Sequence, residues 1–216
     1  MITKRNLIII LLSILLVGCA GIPVREALKE NFNIPAGKIE GNQFIGIRYP
    51  FKVATPPHWK MTTKYPDFLE ELGYDKPGPQ DKEQTELYIF NPITQSSILV
   101  DLTPAPPYAE FSQELQESRV TKVTGSLVEE LREDYGKDLQ VELGPTEPIS
   151  LKGVQFAAKK YVTYTLKGVK REQGWVYGFS EPYQIFILYM ILEKEGVNDR
   201  QDLKMILDSF EVISRK

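Results

Sequence analysis

The single cysteine of this chain, Cys19, carries the most reactive side chain in the sequence. It follows an almost wholly apolar run over residues 7–17, which is preceded by Lys4 and Arg5. A membrane-spanning helix needs roughly 20 apolar residues, so this run is too short to cross a bilayer. A basic start, a short apolar run and the small residue Gly18 before the cysteine predict a secretory signal peptide.

The end of this segment resembles the lipobox of bacterial lipoprotein signals, Leu-x-(Gly/Ala)-Cys, filled here by Leu16, Val17, Gly18 and Cys19. In that family a diacylglycerol is attached to the cysteine sulfur, the chain is cut before the cysteine, and the new amino group is often acylated. The resemblance implies a signal peptide over residues 1–18 and a lipid anchor on Cys19. Two or more acyl chains hold a protein on a membrane, at ~0.8 kcal/mol for each buried CH₂. The alternative is an uncleaved N-terminal anchor, or a cysteine that stands there by chance.

The residue after the cysteine bears on which membrane would carry the protein. In the lipoprotein family an aspartate at that position commonly retains the protein in the inner membrane, and this chain has Ala20 there. In a host with two membranes we therefore expect the periplasmic face of the outer membrane. The sequence leaves open whether the host has one membrane or two.

His58 is the only histidine, so general-base and metal chemistry would centre on it. A catalytic histidine needs a nucleophile and an orienting carboxylate, and the sequence has no G-x-S-x-G segment. A zinc site needs further histidine or cysteine ligands, and none remains once Cys19 is acylated. The sequence also has no P-loop, dinucleotide fingerprint or EF-hand loop. We therefore expect a surface or packed histidine, with no metal and no cofactor.

Acidic pairs at Glu129-Glu130 and Glu133-Asp134 are the remaining residues with catalytic potential. They alternate with the apolar positions of a long predicted helix, so the simplest interpretation is a solvated helix face. A hydrolase with paired carboxylates stays open as an alternative, because acids that are distant in sequence can meet in space. With no recognisable catalytic set, we expect that the protein is not an enzyme.

The charge balance argues against nucleic acid as a partner. Removing residues 1–18 takes away two basic side chains and no acid, which leaves 24 basic and 29 acidic side chains and a net formal charge of −5. Nucleic-acid binding requires a basic surface, and electrostatic docking on anionic lipid is disfavoured for the same reason. The remaining 198 residues are enough for one domain with a sizeable core, and we expect a monomer.

Hydrophobic periodicity predicts the elements that position these residues. Residues 19–41 are rich in proline and glycine and are expected to form a lipidated tether, followed by a single domain over residues 42–216. Apolar residues at 3.6-residue spacing predict a long helix over residues 109–135. A last helix is expected to start at Asn198 or Asp199. Residues 184–192 are apolar on both faces, which predicts a strand in a sheet that is covered on both sides.

The order of the elements resembles the Mog1/PsbP-like superfamily, which includes PsbP-type photosystem proteins, Mog1 and DcrB-like envelope lipoproteins. The resemblance extends over about residues 44–213. It rests on a terminal helix closing at Ser209 and Phe210 and on an F-x-V…P-x-x-W pattern, one residue short after the proline, at Phe51, Val53, Pro57 and Trp59. It implies an α+β fold, an α/β/α sandwich with a largely antiparallel sheet covered by helices on both faces. It also implies a binding or assembly role rather than catalysis.

Two loops rich in aromatic residues and proline form a candidate partner surface. Aromatic side chains dominate the binding energy of interfaces, and proline lowers the entropy lost on docking. The residues are Trp59 and Tyr65 in one loop, and Pro106, Pro107 and Tyr108 in the other.

A second candidate lies on a predicted strand where Trp175, Tyr177 and Phe179 share one face. The simpler interpretation is core packing beneath a helix. The alternative is a groove for an apolar, lipid-like ligand that these residues line together with Ile185, Ile187 and Tyr189.

These observations together predict a membrane-anchored envelope lipoprotein that acts as a non-catalytic binding or assembly module on another envelope protein. The alternative function is a carrier or sensor of an apolar ligand in the groove under the aromatic strands.

Overall fold

The computed structural model describes residues 28–78 and 85–213. The chain begins with strands β1 (Gly37–Glu40), β2 (Gln43–Gly46), β3 (Phe51–Ala54) and β4 (Lys60–Thr62), followed by helix α1 (Phe68–Glu71). The middle contains β5 (Leu87–Phe90), β6 (Ser97–Pro104), helix α2 (Gln113–Tyr135), β7 (Val141–Leu143) and β8 (Glu147–Pro148). The last part contains β9 (Phe156–Leu166), β10 (Val169–Ser180), β11 (Tyr183–Leu192), helix α3 (Asp199–Ser209) and β12 (Glu211–Val212).

The predicted signal peptide, with Leu16, Val17, Gly18 and Cys19, lies outside the described residues, so acylation of Cys19 stays a prediction.

Strand β1 lies within the segment that the sequence assigned to the tether, residues 19–41. It pairs with β2, with Gly37 opposite Gly46. A Cβ on Gly37 would lie 2.3 Å from the Phe44 ring, so the close approach of the two strands requires glycine there. The side chains that follow in β1 are exposed and give no alternating apolar pattern. The folded part therefore begins before residue 42.

The strands form two sheets in which every ladder between the described strands is antiparallel. The small sheet has the order β1-β2-β3-β12. The large sheet has the order β4-β5-β6-β11-β10-β9-β7, and β8 also pairs with β9. Together with the three described helices, this arrangement confirms the predicted α+β class with a largely antiparallel sheet.

The large sheet is covered on both faces. On one face α2 packs on β9 and β10, with Val120, Leu127 and Leu131 against residues such as Val162 and Trp175. On the other face α3 and the small sheet enclose the larger apolar core, which contains Ile185, Ile187 and Tyr189 of β11. The prediction of a strand with apolar residues on both faces is confirmed, because Phe186 and Leu188 of the same strand face α2.

Capping side chains set where the two longer helices begin. Helix α2 starts four residues later than the sequence predicts, because the Ser112 hydroxyl accepts a hydrogen bond from the backbone amide of Leu115. For α3 the side chain of Asn198 accepts from the amide of Gln201, so Asn198 rather than Asp199 is the N-cap. Asp199 is thereby freed to point into the protein interior.

Candidate functional site

The residues of the predicted partner surface do not form one exposed patch, because Trp59 lies at the opposite end of the large sheet from Pro106, Pro107 and Tyr108. Trp59 precedes β4, whose first residue pairs with Phe90. Pro106, Pro107 and Tyr108 follow Pro104, which pairs with Tyr183 at the other end of the sheet. Tyr108 is 69% exposed, whereas Trp59 is only 3% exposed.

Tyr65 is also partly packed rather than presented to solvent. Its hydroxyl donates to the backbone oxygen of Tyr74 at 2.8 Å, and its ring meets Tyr88 edge to face. Aromatic residues of a loop can bind a partner only where they are exposed. A single sequence does not reveal that Trp59 and Tyr65 pack within the protein, whereas Tyr108 is exposed.

The aromatic residues of β10 lie on the opposite face of the large sheet from the residues of β11 that were expected to line a groove with them. Trp175, Tyr177 and Phe179 lie on the face covered by α2, and Phe111 stacks on Phe179 at 4.0 Å between ring centroids. Ile185, Ile187 and Tyr189 lie in the core on the opposite face of the sheet. The two sets therefore do not line one groove, as the alternative interpretation required, and Trp175 and Tyr177 pack beneath α2 in agreement with the simpler interpretation. Successive residues of paired strands alternate between faces, and the pairing register decides which residues share one.

His58 is brought next to a carboxylate that is far away in the sequence. Its Nε2 lies 2.7 Å from Oδ2 of Asp202 in α3, and the indole nitrogen of Trp59 donates to the same oxygen at 2.9 Å. The His58 side chain is about half exposed. The structure therefore places it at the surface, in a hydrogen bond with a largely buried acid.

Asp199, one turn earlier in α3, is buried among hydrogen-bond donors from the β5–β6 turn. Its Oδ1 accepts from Asn91 Nδ2 at 2.8 Å. Its Oδ2 accepts from the hydroxyls of Thr94 and Ser96 at 2.5 and 2.6 Å. We call His58, Asn91, Thr94, Ser96, Asp199 and Asp202 the Asp199 cluster.

The Asp199 cluster has the donor types of a metal site but fits a structural role better. Ligand atoms of His58, Asp199 and Asp202 lie within 4.8 Å of one another. Both oxygens of Asp199 are already engaged by three protein donors, so a cation would have to displace them. The two carboxylates also lie at the start of α3, where the helix dipole favours negative charge. The cluster therefore fastens the start of α3 to the large sheet.

A large concave surface lies beside α3 and has a volume of about 830 Å³. One wall is α3, and the other is the segment from β7 to β8 at the edge of the sheet. Its apolar lining includes Leu143, Ile149, Leu151, Leu203 and Leu207. We call this surface the α3 groove, and its volume is typical of ligand sites.

Tyr161 and Gly144 line the α3 groove, and Tyr189 and Gly174 lie buried beneath it. A Cβ on Gly144 would lie 2.6 Å from the Tyr161 ring. A Cβ on Gly174 would lie 2.5 Å from the Tyr189 ring and 2.7 Å from Tyr161. Each glycine therefore leaves room for an aromatic ring. Burial of the Tyr189 side chain raises the pKa of its hydroxyl well above its usual value.

The basic residues of the α3 groove are paired with acidic residues, some of which lie outside its lining. Glu172, nearly buried in the floor, accepts from Arg200 Nε at 2.7 Å and from the Tyr189 hydroxyl at 3.3 Å. Each basic side chain that lines the groove has an acidic partner: Arg200 also pairs with Glu193, Lys170 with Glu193, Lys204 with Asp208, and Lys159 with Glu147. The groove thus offers apolar walls and both signs of charge.

Sequence reasoning missed the α3 groove because its lining comes from segments far apart in the chain. One signal was available in the sequence, a charged residue on an inward-facing position of a strand. Glu172, Gly174 and Val176 lie on the same face of β10, and Val176 is part of the core. A carboxylate on the inward face of a strand requires a partner such as Arg200, and it therefore marks a position where the core opens to a polar site.

A further buried acid, Glu86, lies beside Arg48. Its side chain is fully buried and accepts from Arg48 Nη1 at 2.7 Å, while its Oε2 has no hydrogen-bond partner. Burial raises the pKa of Glu86 to about 7, an effect that Arg48 opposes and that Asp101 and Glu30 reinforce. Arg48 also donates through Nε to the backbone oxygen of Ile34.

Glu86 should make the protein less stable as the pH rises. Its pKa is raised on folding, so the folded state holds the proton more tightly, and stability is lost between about pH 4.5 and pH 7. We expect Glu86→Gln to remove this dependence. The free energy of unfolding of the variant minus that of the wild type should therefore increase by on the order of 2 kcal/mol between pH 5 and pH 8, because only the wild type is destabilised. Urea denaturation at both pH values measures this. A constant difference between the two proteins would contradict it.

Among the described residues, no helix is both long enough and apolar enough to cross a membrane. Fold and groove together define the class: an α+β protein with a surface groove at the edge of an antiparallel sheet.

No family model and no curated protein matches the sequence. Solved structures with a similar backbone arrangement include a Bacteroides thetaiotaomicron protein, with 9% identity and a TM-score of 0.47 over 82% of this chain. This chain covers 50% of that protein's length.

Two further structural neighbours are proteins with specific names. The cyanobacterial PsbP protein of Synechocystis, CyanoP, has 12% identity and a TM-score of 0.48, with 88% of this chain and 99% of that one covered. LpqN, involved in cell envelope biogenesis of Mycobacterium tuberculosis, has 13% identity and a TM-score of 0.43, with 75% and 82% covered. A PsbP protein is thus among the structural neighbours. At these identities and TM-scores, the likenesses transfer no function to this chain.

Proposed function

We propose that this protein is a non-catalytic binding module of the cell envelope, held at the membrane by acyl chains on Cys19, that binds an extended segment of a partner protein in the α3 groove. The observation that carries the proposal is the groove itself, which has apolar walls, paired charges of both signs and an edge strand as its rim. In a host with two membranes the expected location is the periplasmic face of the outer membrane.

The rim of the groove supports a polypeptide as the occupant. Strand β7 ends the order of the large sheet, so within the described chain one side of its backbone has no neighbouring strand. An extended segment can add to such an edge through main-chain hydrogen bonds, while its side chains enter adjacent pockets. Leu143 of β7 is 62% exposed at this position.

The lining also disfavours a lipid tail. Basic residues Lys159, Lys170, Arg200 and Lys204 and acidic residues Glu142, Glu172 and Asp208 all contribute to it. A hydrocarbon chain would desolvate these charges without offering them partners. A peptide that carries both signs of charge can replace the lost hydration.

The same lining supports a role without catalysis. The carboxylates and amines of the groove pair with one another rather than with a poised nucleophile, and His58 lies elsewhere, in the Asp199 cluster. General acid–base chemistry needs a titratable group that is aimed at the substrate.

Photocrosslinking tests the proposal with a matched control. Leu143 at the groove and Ile93 in the β5–β6 turn are 62% and 61% exposed, so a crosslinking amino acid can replace either one with similar exposure. In the native host we expect the protein with the probe at position 143 to form a discrete adduct with an envelope protein, and the protein with the probe at 93 to form none. Adding Lys204→Glu should reduce the adduct at least fivefold, because it reverses a charge in the groove.

Two results would contradict this binding site. One is the same adduct from both positions. The other is an adduct at 143 that Lys204→Glu leaves unchanged. That result would indicate a protein that is crosslinked through random encounters and does not bind in the groove.

A further inference from the structure

A second concave site lies on the opposite face of the large sheet from the α3 groove. It is a recess of about 350 Å³ between one side of α2 and the segment 72–75, above β10 and β11. Its apolar lining comes from Val123, Leu127 and Leu131 of α2 and from Trp175, Leu188 and Met190 of the sheet. We call it the α2 recess. Of the three aromatic residues on the predicted ligand-binding face of β10, only Trp175 lines it.

The base of the α2 recess contains polar groups whose hydrogen bonding within the protein is incomplete. The Nε of Arg171 and the hydroxyl of Tyr74 are both buried and make no hydrogen bond of standard geometry, although Ser97 lies beside the Tyr74 hydroxyl and Tyr164 beside the Arg171 guanidinium. By contrast, the hydroxyl of Tyr164 in the same recess donates to Gln173 at 3.0 Å. A buried donor without a partner is unfavourable, so such groups usually meet a ligand or an ordered water.

Arg171 differs from the other basic residues described above because it has no acidic partner. No carboxylate within the described chain lies within the 4 Å that defines an ion pair with its guanidinium, whereas the arginines at positions 48 and 200 each have such a partner. The acids nearest to the recess, Asp75, Glu130 and Asp134, line its exposed mouth, where water screens them. The positive charge at the base is therefore available to a ligand.

We propose that the α2 recess binds a medium-chain apolar monocarboxylate, such as a fatty acid. The carboxylate would be held by Arg171 and Tyr74, and the hydrocarbon chain would lie against Leu127 and Trp175. A planar guanidinium is suited to a carboxylate because it donates two parallel hydrogen bonds. The volume is near the lower end for ligand sites, which favours a chain of medium length. Acids at the mouth disfavour ligands with more than one negative charge. This site is independent of the α3 groove.

Photoaffinity labelling tests the site on the mature acylated protein in lipid nanodiscs. The probe is a decanoate analogue with a diazirine in its chain, and labelled peptides are located by mass spectrometry. We expect label in the peptides that contain α2 residues 123–131 or Trp175. Decanoate should compete with the probe at a concentration at least tenfold lower than that of decanol, which has the same chain without the charge.

Arg171→Gln should bring the two competitors within about twofold of each other. Arg132→Gln, a change on the exposed side of α2, should leave the preference unchanged. Label confined to peptides outside the recess would overturn the proposal. Equal competition by decanol and decanoate in the wild-type protein would also overturn it, and that comparison does not depend on any variant folding.

Discussion

Replacing Asp199 with alanine is expected to lower the free energy of unfolding by about 3–4 kcal/mol, the largest stability effect we predict for a single substitution in this chain. The carboxylate accepts three hydrogen bonds in a buried site, from Asn91, Thr94 and Ser96. Alanine would leave all three donors buried without an acceptor, and each unsatisfied group costs about 1–3 kcal/mol. Ser96 is further constrained because its hydroxyl also accepts from the backbone amide of Leu192.

Urea denaturation of the wild type and of two variants measures this effect. Asp199→Asn retains one acceptor oxygen and should lose less stability than the alanine variant. Asp208→Asn removes an acid that is largely exposed in the same helix and should change stability by less than about 0.5 kcal/mol. If Asp199→Ala and Asp208→Asn were equally stable, the Asp199 cluster would not be what fastens α3 to the sheet.

The Asp199→Ala substitution should also weaken partner binding in the α3 groove. Arg200 follows Asp199 directly and holds Glu172 in the floor of the groove. Helix α3 supplies one wall, so loosening its first turn changes the site's geometry. We therefore expect Asp199→Ala to reduce the crosslink at position 143 even at temperatures where the protein remains folded.

Cys19→Ser is expected to abolish membrane anchoring. Serine has no thiol for the diacylglycerol to be attached to, and without acyl chains the protein loses their ~0.8 kcal/mol per buried CH₂. The acidic net charge of the mature chain offers no electrostatic replacement. Metabolic labelling with palmitate, followed by separation of membrane and soluble fractions, measures both consequences. The variant should carry no label, and globomycin should cause the wild-type precursor to accumulate.

A neighbouring substitution provides the control for Cys19→Ser. Ala20→Asp leaves the thiol in place and should retain the full palmitate label, while in a host with two membranes it should shift the protein toward the inner membrane. Because Cys19 is the only cysteine, no second thiol can account for the label. Equal labelling of wild type and Cys19→Ser would exclude the lipoprotein interpretation.

Regular elements were predictable because their signals repeat at short range. The long helix follows from apolar residues at 3.6-residue spacing, and β11 follows from a run that is apolar on both faces. Boundaries were less predictable where one contact decides them. Helix α2 begins where Ser112 caps it, and β1 forms because Gly37 permits close approach to Phe44, although the side chains after Gly37 in β1 are exposed.

Candidate site residues were less predictable than the elements, because exposure and partners depend on distant parts of the chain. Trp59 has the aromatic character of an interface residue, but its indole donates to Asp202, 143 positions later, and the ring is buried. Asp199 was recognisable as a helix-start residue. Its burial and its three donors follow only from the position of the β5–β6 turn.

By itself the sequence determined the order of most elements and the acidic charge, because each is a property of composition or of local periodicity. The α+β class was implied by the resemblance of that element order to a known superfamily. The prediction for Cys19 likewise needs only contiguous residues. Only the tertiary structure decided the α3 groove, the α2 recess and the Asp199 cluster. Each of them assembles side chains separated by tens of residues or more, and strand register and helix docking determine which of these side chains share a face.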